Sequence, residues 1–201
     1  MSFRELELKL AIDSALDYQR LCEALPGFEE EKKQRNIYFD DQRQLAARRM
    51  MLRLRIEPPS AWLTLKIASS RREGVFDSEE IEEAVALDLA LALEAEPRAI
   101  MRIDAAVIEE SRTRCESPLQ NLVEWGRVEN RRRCYRVSSG LLVEMDETRF
   151  PDGVLRWEVE AEGDTPTLAR EFLDRIAMEG GVTLQAQTQT KSQFLAENLR
   201  T

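Results

Sequence analysis

The chain has 201 residues, of which 43% are hydrophobic and 33% are charged, with a formal net charge of −9 and no histidine. The lack of histidine excludes Ser-His triads, imidazole bases and His-ligated zinc or iron, so a metal would have to be held by oxygen, as Mg²⁺, Mn²⁺ and Ca²⁺ are. The negative net charge argues against nucleic acid and anionic membranes as partners.

The sequence contains no recognisable targeting segment and no cysteine motif. No apolar run reaches the length of a membrane span, and residues 1–10 alternate charge with leucine where a secretory signal would be apolar. Cys22, Cys115 and Cys134 form no C-x-x-C pair, so neither a disulfide framework nor a zinc ribbon is indicated. These features predict a cytoplasmic protein, and the lack of repeats and flexible linkers predicts one domain over residues 1–201.

Alternating apolar and charged residues predict strands, and amphipathic patterns with start signals predict helices. The first strand covers residues 3–10 and places Glu5, Glu7 and Lys9 opposite a leucine face. Further strands are predicted over residues 36–40, 51–57, 62–67, 76–84, 128–137, 141–147 and 154–161. Helices are predicted over residues 14–24, 87–94, 97–110, 118–125 and 167–178.

Most of these strands carry two charged or polar residues on one face and hydrophobic residues on the other. In the strand over residues 51–57, the polar face carries Arg53 and Arg55. In the strand over residues 62–67, it carries Thr64 and Lys66. Later strands repeat the pattern with the acidic pairs Glu80 and Glu82, Glu144 and Asp146, and Glu158 and Glu160. For one strand, a charged face in water is the simpler explanation, but the repetition favours apolar faces covered by helices and charges pointing inward.

With eight predicted strands and helices to cover their apolar faces, the predicted fold class is α+β, and closing the sheet would give a β-barrel with helices packed on the outside. A lumen lined by both signs of charge is costly unless the charges pair, bind metal or meet a charged ligand. It indicates a site for a small polyanion together with its cations. Within the arginines at 131–133, alternation places Arg132 inward, because Tyr135 and Val137 should face the apolar cover.

Several short motifs, taken together and in order, resemble the CYTH superfamily of triphosphate tunnel metalloenzymes. They are E-L-E-L-K at 5–9, N-I-Y-F-D at 36–40, L-R-L-R at 52–55, L-T-L-K at 63–66, E-I-E at 80–82, M-D-E-T at 145–148 and W-E-V-E at 157–160. The resemblance covers nearly the whole chain and is greatest to the short single-domain plant and bacterial members. It implies that the barrel is an eight-stranded antiparallel closed β-barrel, or tunnel, with helices packed on the outside.

The resemblance implies roles for individual residues. A divalent cation, Mg²⁺ or Mn²⁺, would be held by Glu5, Glu7, Asp146, Glu158 and Glu160. Phosphate oxygens would be bound by Lys9, Arg53, Arg55, Lys66, Arg132 and Lys191. The attacking water would be activated by a metal or by a lumen carboxylate, Glu80 or Glu82, with Lys66 beside them in the catalytic set.

Some of these assignments have an alternative. Glu80, Glu82, Glu144 and Asp146 would otherwise neutralise the arginines or position water without touching metal. Lys191 would otherwise be a solvated lysine before a final helix, since its surroundings match the family's C-terminal motif only loosely.

The implied function is metal-dependent hydrolysis of the terminal phosphoanhydride of a linear triphosphate, with inorganic triphosphate favoured. Phe39 stands where animal thiamine-triphosphatases use a tyrosine, and Trp62, near one tunnel mouth, is the strongest aromatic candidate to stack on an organic group or to cap the core. The rival functions are an adenylyl cyclase or thiamine-triphosphatase of the same superfamily and a non-catalytic polyphosphate- or nucleotide-binding module. A homodimer is left open.

Overall fold

The structure, a computed structural model, describes residues 2–115, 118–137, 140–163 and 165–199. The strands are β1 (Ser2–Ile12), β2 (Phe28–Asp40), β3 (Met50–Glu57), β4 (Ser60–Arg72), β5 (Val75–Ala84), β6 (Val123–Arg136), β7 (Leu142–Arg149), β8 (Leu155–Glu162) and the short β9 (Gln185–Ala186). The helices are α1 (Ala15–Ala24), α2 (Gln44–Ala47), α3 (Leu87–Ala95), α4 (Ala106–Thr113), α5 (Pro166–Gly180) and α6 (Lys191–Asn198). A 3-10 helix, Pro97–Arg102, lies between α3 and α4.

Eight antiparallel strands close into a barrel in the order β5-β4-β3-β2-β6-β7-β8-β1, and β1 completes the ring by pairing with β5. Glu5 lies opposite Ser78 in the β1–β5 ladder, and Lys9 lies opposite Glu160 in the β1–β8 ladder. The short β9 pairs with the end of β1. The α+β class and the closed eight-stranded barrel predicted from alternation are thus confirmed.

Each strand divides its side chains between the lumen and an outer apolar layer. On β3, for example, Leu52 and Leu54 are buried on the outside, while Arg53 and Arg55 line the cavity inside the barrel. Helices α1 and α5 cover β1, β7 and β8, and the group from α3 to α4 covers β3 and β4. Among the described residues, no helix combines the length and the apolar character needed to cross a bilayer.

Several predicted elements differ from the structure: β4 continues to Arg72, past its predicted end at residue 67, and α2 and β9 were not predicted. Three further differences have a local explanation or a larger extent. The helix predicted over 118–125 is wrong: β6 begins at Val123, and the carboxylate of Asp41 accepts hydrogen bonds from the amides of Gln120 (2.7 Å) and Asn121 (3.0 Å), which holds the preceding segment as a loop. The helix predicted over 97–110 is divided, because the backbone at Ile103 is extended. β2 begins at Phe28, well before the predicted start near residue 36.

Candidate active site

The barrel lumen contains a cavity of about 1050 Å³. Most of the residues singled out in the sequence line it, namely Glu5, Glu7, Lys9, Arg53, Arg55, Lys66, Glu80, Glu82, Arg132, Glu160 and Lys191. Asp146 and Glu158 are buried and contact this lining through ion pairs. The strand alternation therefore brings all of the predicted site residues to one lumen.

Three buried carboxylates, Asp146, Glu158 and Glu160, form a cluster in which one oxygen from each lies within 4.8 Å of the others. Asp146 on β7 lies directly opposite Glu158 on β8, and Glu160 is two residues further along the same face. Three buried carboxylates this close repel one another unless cations lie among them.

The ammonium group of Lys191 lies inside this cluster. Its Nζ donates hydrogen bonds to Asp146 Oδ2 (2.7 Å) and Glu160 Oε1 (2.9 Å) and forms an ion pair with Glu158 Oε1. The cluster therefore already binds a cation, supplied by the protein itself. Three anionic oxygen donors from two adjacent strands are also the donor set that a hard divalent cation prefers, so these residues fit Mg²⁺ or Mn²⁺.

Two further cations reach the cluster from neighbouring strands. Arg132 Nη2 donates to Asp146 Oδ2 (2.6 Å) and Glu160 Oε2 (2.7 Å), and Lys9 Nζ donates to Glu160 Oε1 (2.6 Å). Burial would raise the pKa of both Asp146 and Glu160, but the surrounding cations outweigh burial and hold both pKa values below the usual range. We call the part of the lumen formed by Lys9, Arg132, Asp146, Glu158, Glu160 and Lys191 the carboxylate wall.

A second group surrounds Lys66. Its Nζ lies 2.9 Å from Glu7 Oε1 and 2.9 Å from Glu80 Oε1, and it also pairs with Glu5. Burial and the neighbouring Glu7 raise the pKa of Glu5 to about 7. Burial would also raise the pKa of Glu80, but Lys66 and Arg53 outweigh it and lower that pKa to about 2.

The predicted metal ligands thus fall into two groups rather than one. Glu5 and Glu7 gather around Lys66, whereas Asp146, Glu158 and Glu160 gather around Lys191. Lys9 joins the groups, because its Nζ lies 3.1 Å from Glu7 Oε2 and 2.6 Å from Glu160 Oε1. Sequence alternation gives the face of each strand but not which carboxylates share a cation.

The basic side chains of β3, unlike Lys66 and Lys191, have no carboxylate partner among the described residues. Within the described ranges, neither Arg53 nor Arg55 forms an ion pair with a carboxylate; Arg55 Nε reaches only Asn36 Oδ1 at 3.4 Å, and the buried Nε of Arg53 has no hydrogen-bond partner. Burial and the like charges of Arg53 and Arg132 lower the pKa of Arg55. We call Arg53 and Arg55 the arginine wall. Its guanidinium groups can donate hydrogen bonds to phosphate, and no carboxylate of the described residues is paired with them.

The remaining predicted carboxylates have local partners. Glu82 Oε1 accepts a hydrogen bond from Thr64 Oγ1 (2.9 Å). Glu144 pairs with Arg132, yet burial together with Glu160 and Asp146 raises its pKa to about 7.

A tryptophan that the sequence placed in a helix lies in the lumen. In the β2–β6 ladder Gly126 lies opposite Tyr38 and Glu124 opposite Phe39, so Trp125 is the extra residue of a β-bulge. The bulge turns its indole onto Tyr38, with ring centroids 5.4 Å apart, and both rings line the cavity. The glycine beside it, within an otherwise regular strand, is the signal in the sequence that indicates a bulge.

The other aromatic residues considered from the sequence lie elsewhere. Trp62 is partly buried opposite Arg55 in the β3–β4 ladder and is not among the described residues that line the cavity. Phe39 is buried in the outer core among the apolar residues of β3 and β4, and both it and its neighbour Tyr38 contribute to the cavity lining. The aromatic residues that line the cavity are therefore Phe3, Tyr38, Phe39, Phe76 and Trp125, and of the three tryptophans only Trp125 is among them.

Helix α6 positions Lys191 at its first residue. Thr190 Oγ1 accepts a hydrogen bond from the Gln193 amide (3.2 Å), and Gln193 Oε1 accepts one from the Thr190 amide (3.1 Å), which fixes the start of the helix. Leu195 packs on Gly126, where a Cβ would lie 2.7 Å from Leu195 Cδ2. These contacts anchor the helix so that the Lys191 side chain enters the lumen.

Comparisons with known proteins agree with this geometry. A family model, the CYTH domain, matches residues 4–190. A solved structure from Hippeastrum, a putative adenylyl cyclase, HpAC1, reported to have a dominant triphosphatase activity, is 25% identical with a TM-score of 0.89 over 96% of both chains. No curated protein sequence gives a significant match.

Two more distant structures show the same fold. A putative adenylate cyclase from Bacillus halodurans is 21% identical with a TM-score of 0.71, covering 95% of this chain and 97% of that chain. The PH1819 protein from Pyrococcus horikoshii OT3 is 20% identical with a TM-score of 0.61, covering 96% of this chain and 99% of that chain.

Proposed function

Since the chain belongs to the CYTH domain family, we propose that it hydrolyses the terminal phosphoanhydride of a linear triphosphate in a metal-dependent reaction, with inorganic triphosphate favoured. The observation that carries the proposal is the arginine wall facing the carboxylate wall. β3 and β8 are four strands apart in either direction around the ring, so Arg53 and Arg55 lie across the lumen from Glu158 and Glu160. A polyanion between the walls meets unpaired guanidinium groups on one side and a cation-binding cluster on the other.

The residues would divide the work as follows. Asp146, Glu158 and Glu160 hold the divalent cation, which supplies charge neutralisation to the phosphate oxygens when bound. Arg53 and Arg55 bind non-bridging oxygens and keep the triphosphate extended along the lumen, because phosphoryl transfer depends mainly on positioning and charge stabilisation.

The attacking water needs an acceptor for its hydrogen bond. Glu80 lines the cavity, and its lowered pKa keeps it ionised at neutral pH, so it can accept a hydrogen bond from water and orient the oxygen toward the terminal phosphorus. Lys66 holds Glu80 in place at 2.9 Å and presents a second positive charge to the phosphate chain. We assign Glu82, which also lines the cavity, as the alternative acceptor.

The stacked pair of Tyr38 and Trp125 favours a second candidate, a triphosphate that carries an aromatic ring. The cavity of about 1050 Å³ is at the upper end of the sizes usual for small-molecule pockets and extends to this pair. A nucleoside or thiamine triphosphate would place its phosphates between the two walls and its ring against the part of the Trp125 indole that lines the cavity.

A substrate panel tests the proposal. We expect inorganic triphosphate to have a higher kcat/KM than ATP, GTP or thiamine triphosphate, with release of one orthophosphate and loss of activity after chelation. Cyclic nucleotide with diphosphate would instead identify a cyclase, and saturable binding without turnover a binding module. A higher kcat/KM for a ring-bearing triphosphate would establish the second candidate.

A substitution in the carboxylate wall tests the metal dependence. Glu160→Gln should lower triphosphate turnover by on the order of a hundredfold at saturating Mn²⁺, because it removes one anionic oxygen donor while keeping the shape of the side chain. The matched control is Glu31→Gln, since Glu31 pairs with Arg133 on the outer surface. Unchanged turnover in a folded Glu160→Gln protein would contradict the assignment.

A further inference from the structure

Lys191 and a metal ion would need the same oxygen atoms. Its Nζ engages Asp146 Oδ2, Glu158 Oε1 and Glu160 Oε1, one oxygen from every member of the carboxylate cluster. A hard divalent cation binds carboxylate oxygens at about 2.0–2.6 Å, inside the space that this ammonium fills. The two cations therefore compete sterically as well as electrostatically.

The local charge also argues against both cations being present together. The three carboxylates are matched by three cations, Lys191, Arg132 and Lys9, each within ion-pair distance of the cluster. Lys9 and Arg132 also pair with Glu7 and Glu144, so their charges are shared with carboxylates outside the cluster. A divalent ion that enters the cluster is repelled most directly by the ammonium of Lys191, and departure of that ammonium removes this repulsion. Lys191 is the cation that contacts all three carboxylates, so its departure frees the most oxygen ligands.

The structure gives the displaced ammonium a destination. Lys191 lines the same cavity as Arg53 and Arg55, so its side chain borders the space that a substrate's phosphates would occupy. The reciprocal hydrogen bonds of Thr190 and Gln193 and the packing of Leu195 on Gly126 hold the helix start in place. Movement of the side chain alone is enough.

We propose that Lys191 is exchanged for the metal: it neutralises the carboxylate cluster before metal binds, and metal binding releases its ammonium to a phosphate of the substrate. This rests on the proposed metal site. The exchange makes metal and triphosphate bind with positive coupling, and the coupling is the same whichever binds first. Lys191 thereby acts as a substrate-binding residue whose charge becomes available to the phosphates only after metal has entered.

Mn²⁺ binding without any triphosphate tests the exchange directly. In metal-free protein titrated with Mn²⁺ and followed by electron paramagnetic resonance, Lys191→Met should bind Mn²⁺ at least about tenfold more tightly than the parent, because the competing charge is gone. Lys191→Arg keeps the charge and should bind Mn²⁺ as weakly as the parent. The matched control is Lys33→Met, since Lys33 is an exposed lysine that forms no part of the lumen lining.

A second measurement separates exchange from simple loss of a structural contact. With saturating Mn²⁺, Lys191→Met should bind imidotriphosphate, a non-hydrolysable analogue, about tenfold more weakly than the parent. Tighter metal binding with weaker anion binding is the pair of results that exchange requires, whereas a merely structural lysine would weaken both. Lys191→Gln serves the same purpose if Lys191→Met does not fold.

Three results would overturn the inference. One is Lys191→Met binding Mn²⁺ no more tightly than the parent, and another is Lys191→Arg matching the tightened affinity, which would show that charge is not the cause. The third is Mn²⁺ binding to none of the proteins, which removes the metal site along with the exchange. Triphosphate hydrolysis by the parent is measured separately, so these results are distinct from failure of the proposed function.

Discussion

The two walls of the lumen treat buried charge in opposite ways. In the carboxylate wall every cation has carboxylate partners. Arg132, for example, pairs with three carboxylates, those of Glu144, Asp146 and Glu160. In the arginine wall, Arg53 and Arg55 form no ion pair within the described part of the chain. Charges that balance one another support the folded state, whereas unbalanced charge of one sign is unfavourable until a ligand of the other sign arrives. Removing a charged side chain should therefore destabilise the folded state on the carboxylate wall but not on the arginine wall.

Replacing one arginine of each wall by methionine should give the largest difference in the free energy of unfolding. Arg132→Met removes the cation that pairs with Glu144 and one of the cations that pair with Asp146 and Glu160, and it should lower the free energy of unfolding by about 3–5 kcal/mol. Arg55→Met removes a cation that has no carboxylate partner and should leave stability unchanged or raise it. Urea denaturation of the metal-free proteins measures both, and equal destabilisation by the two changes would refute the distinction between the walls.

The pH dependence of stability sharpens the comparison within the carboxylates themselves. The pKa of Glu144 is raised to about 7, so its contribution to stability is present below the unfolded-state value of 4.5 and is lost as the pH rises toward 7. The stability of the parent relative to Glu144→Gln should therefore fall between pH 4 and pH 8, by up to about 3 kcal/mol.

Glu80 provides the opposite case. Its pKa is lowered to about 2, so its contribution is present above 4.5 and is lost as the pH falls toward 2. The stability of the parent relative to Glu80→Gln should rise with pH over the acid range. Denaturant titrations of metal-free protein at each pH give both differences, and slopes of the same sign for Glu144 and Glu80 would contradict the assigned environments.

The smallest expected effect concerns the arginine wall and its ligand. Arg53→Ala and Arg55→Ala should each weaken the binding of triphosphate and ATP alike, by about 1–3 kcal/mol for a lost charged hydrogen bond. Arg136→Ala is the control, because Arg136 pairs with Glu29 on the outer surface. A loss confined to ATP would move these residues from a phosphate site to a nucleotide site.

Strand alternation predicted the barrel well because a closed barrel gives each strand one charged and one apolar face. It failed where that condition does not hold. The first half of β2 has polar residues on both faces from Glu29 to Gln34, since this part extends beyond the outer apolar layer, and no alternation marks it as a strand. At Trp125 the bulge adds a residue and breaks the period of two, so the segment resembled the end of a helix.

The site was predictable as a set of inward charges but not as a set of contacts. The alternation of side chains along a strand predicts that Lys66 and Glu80 point into the lumen. The grouping of Glu5 and Glu7 around Lys66 depends instead on the β1–β5 pairing that closes the ring. The position of Lys191 among three carboxylates depends on where α6 packs, which is set by Gly126 and Leu195 far apart in the sequence. Such long-range packing leaves no periodic signal.

The closure of the ring by β1 also shapes how this chain folds. Lys9 meets Glu160 across a separation of 151 residues, and contacts this distant in sequence form slowly because a long loop must close first. Until β8 arrives, one edge of β1 is unpaired, and such an edge is a template for aggregation unless charges interrupt it. Glu5, Glu7 and Lys9 provide that interruption, so the same charges that line the finished lumen keep the unfinished sheet in solution.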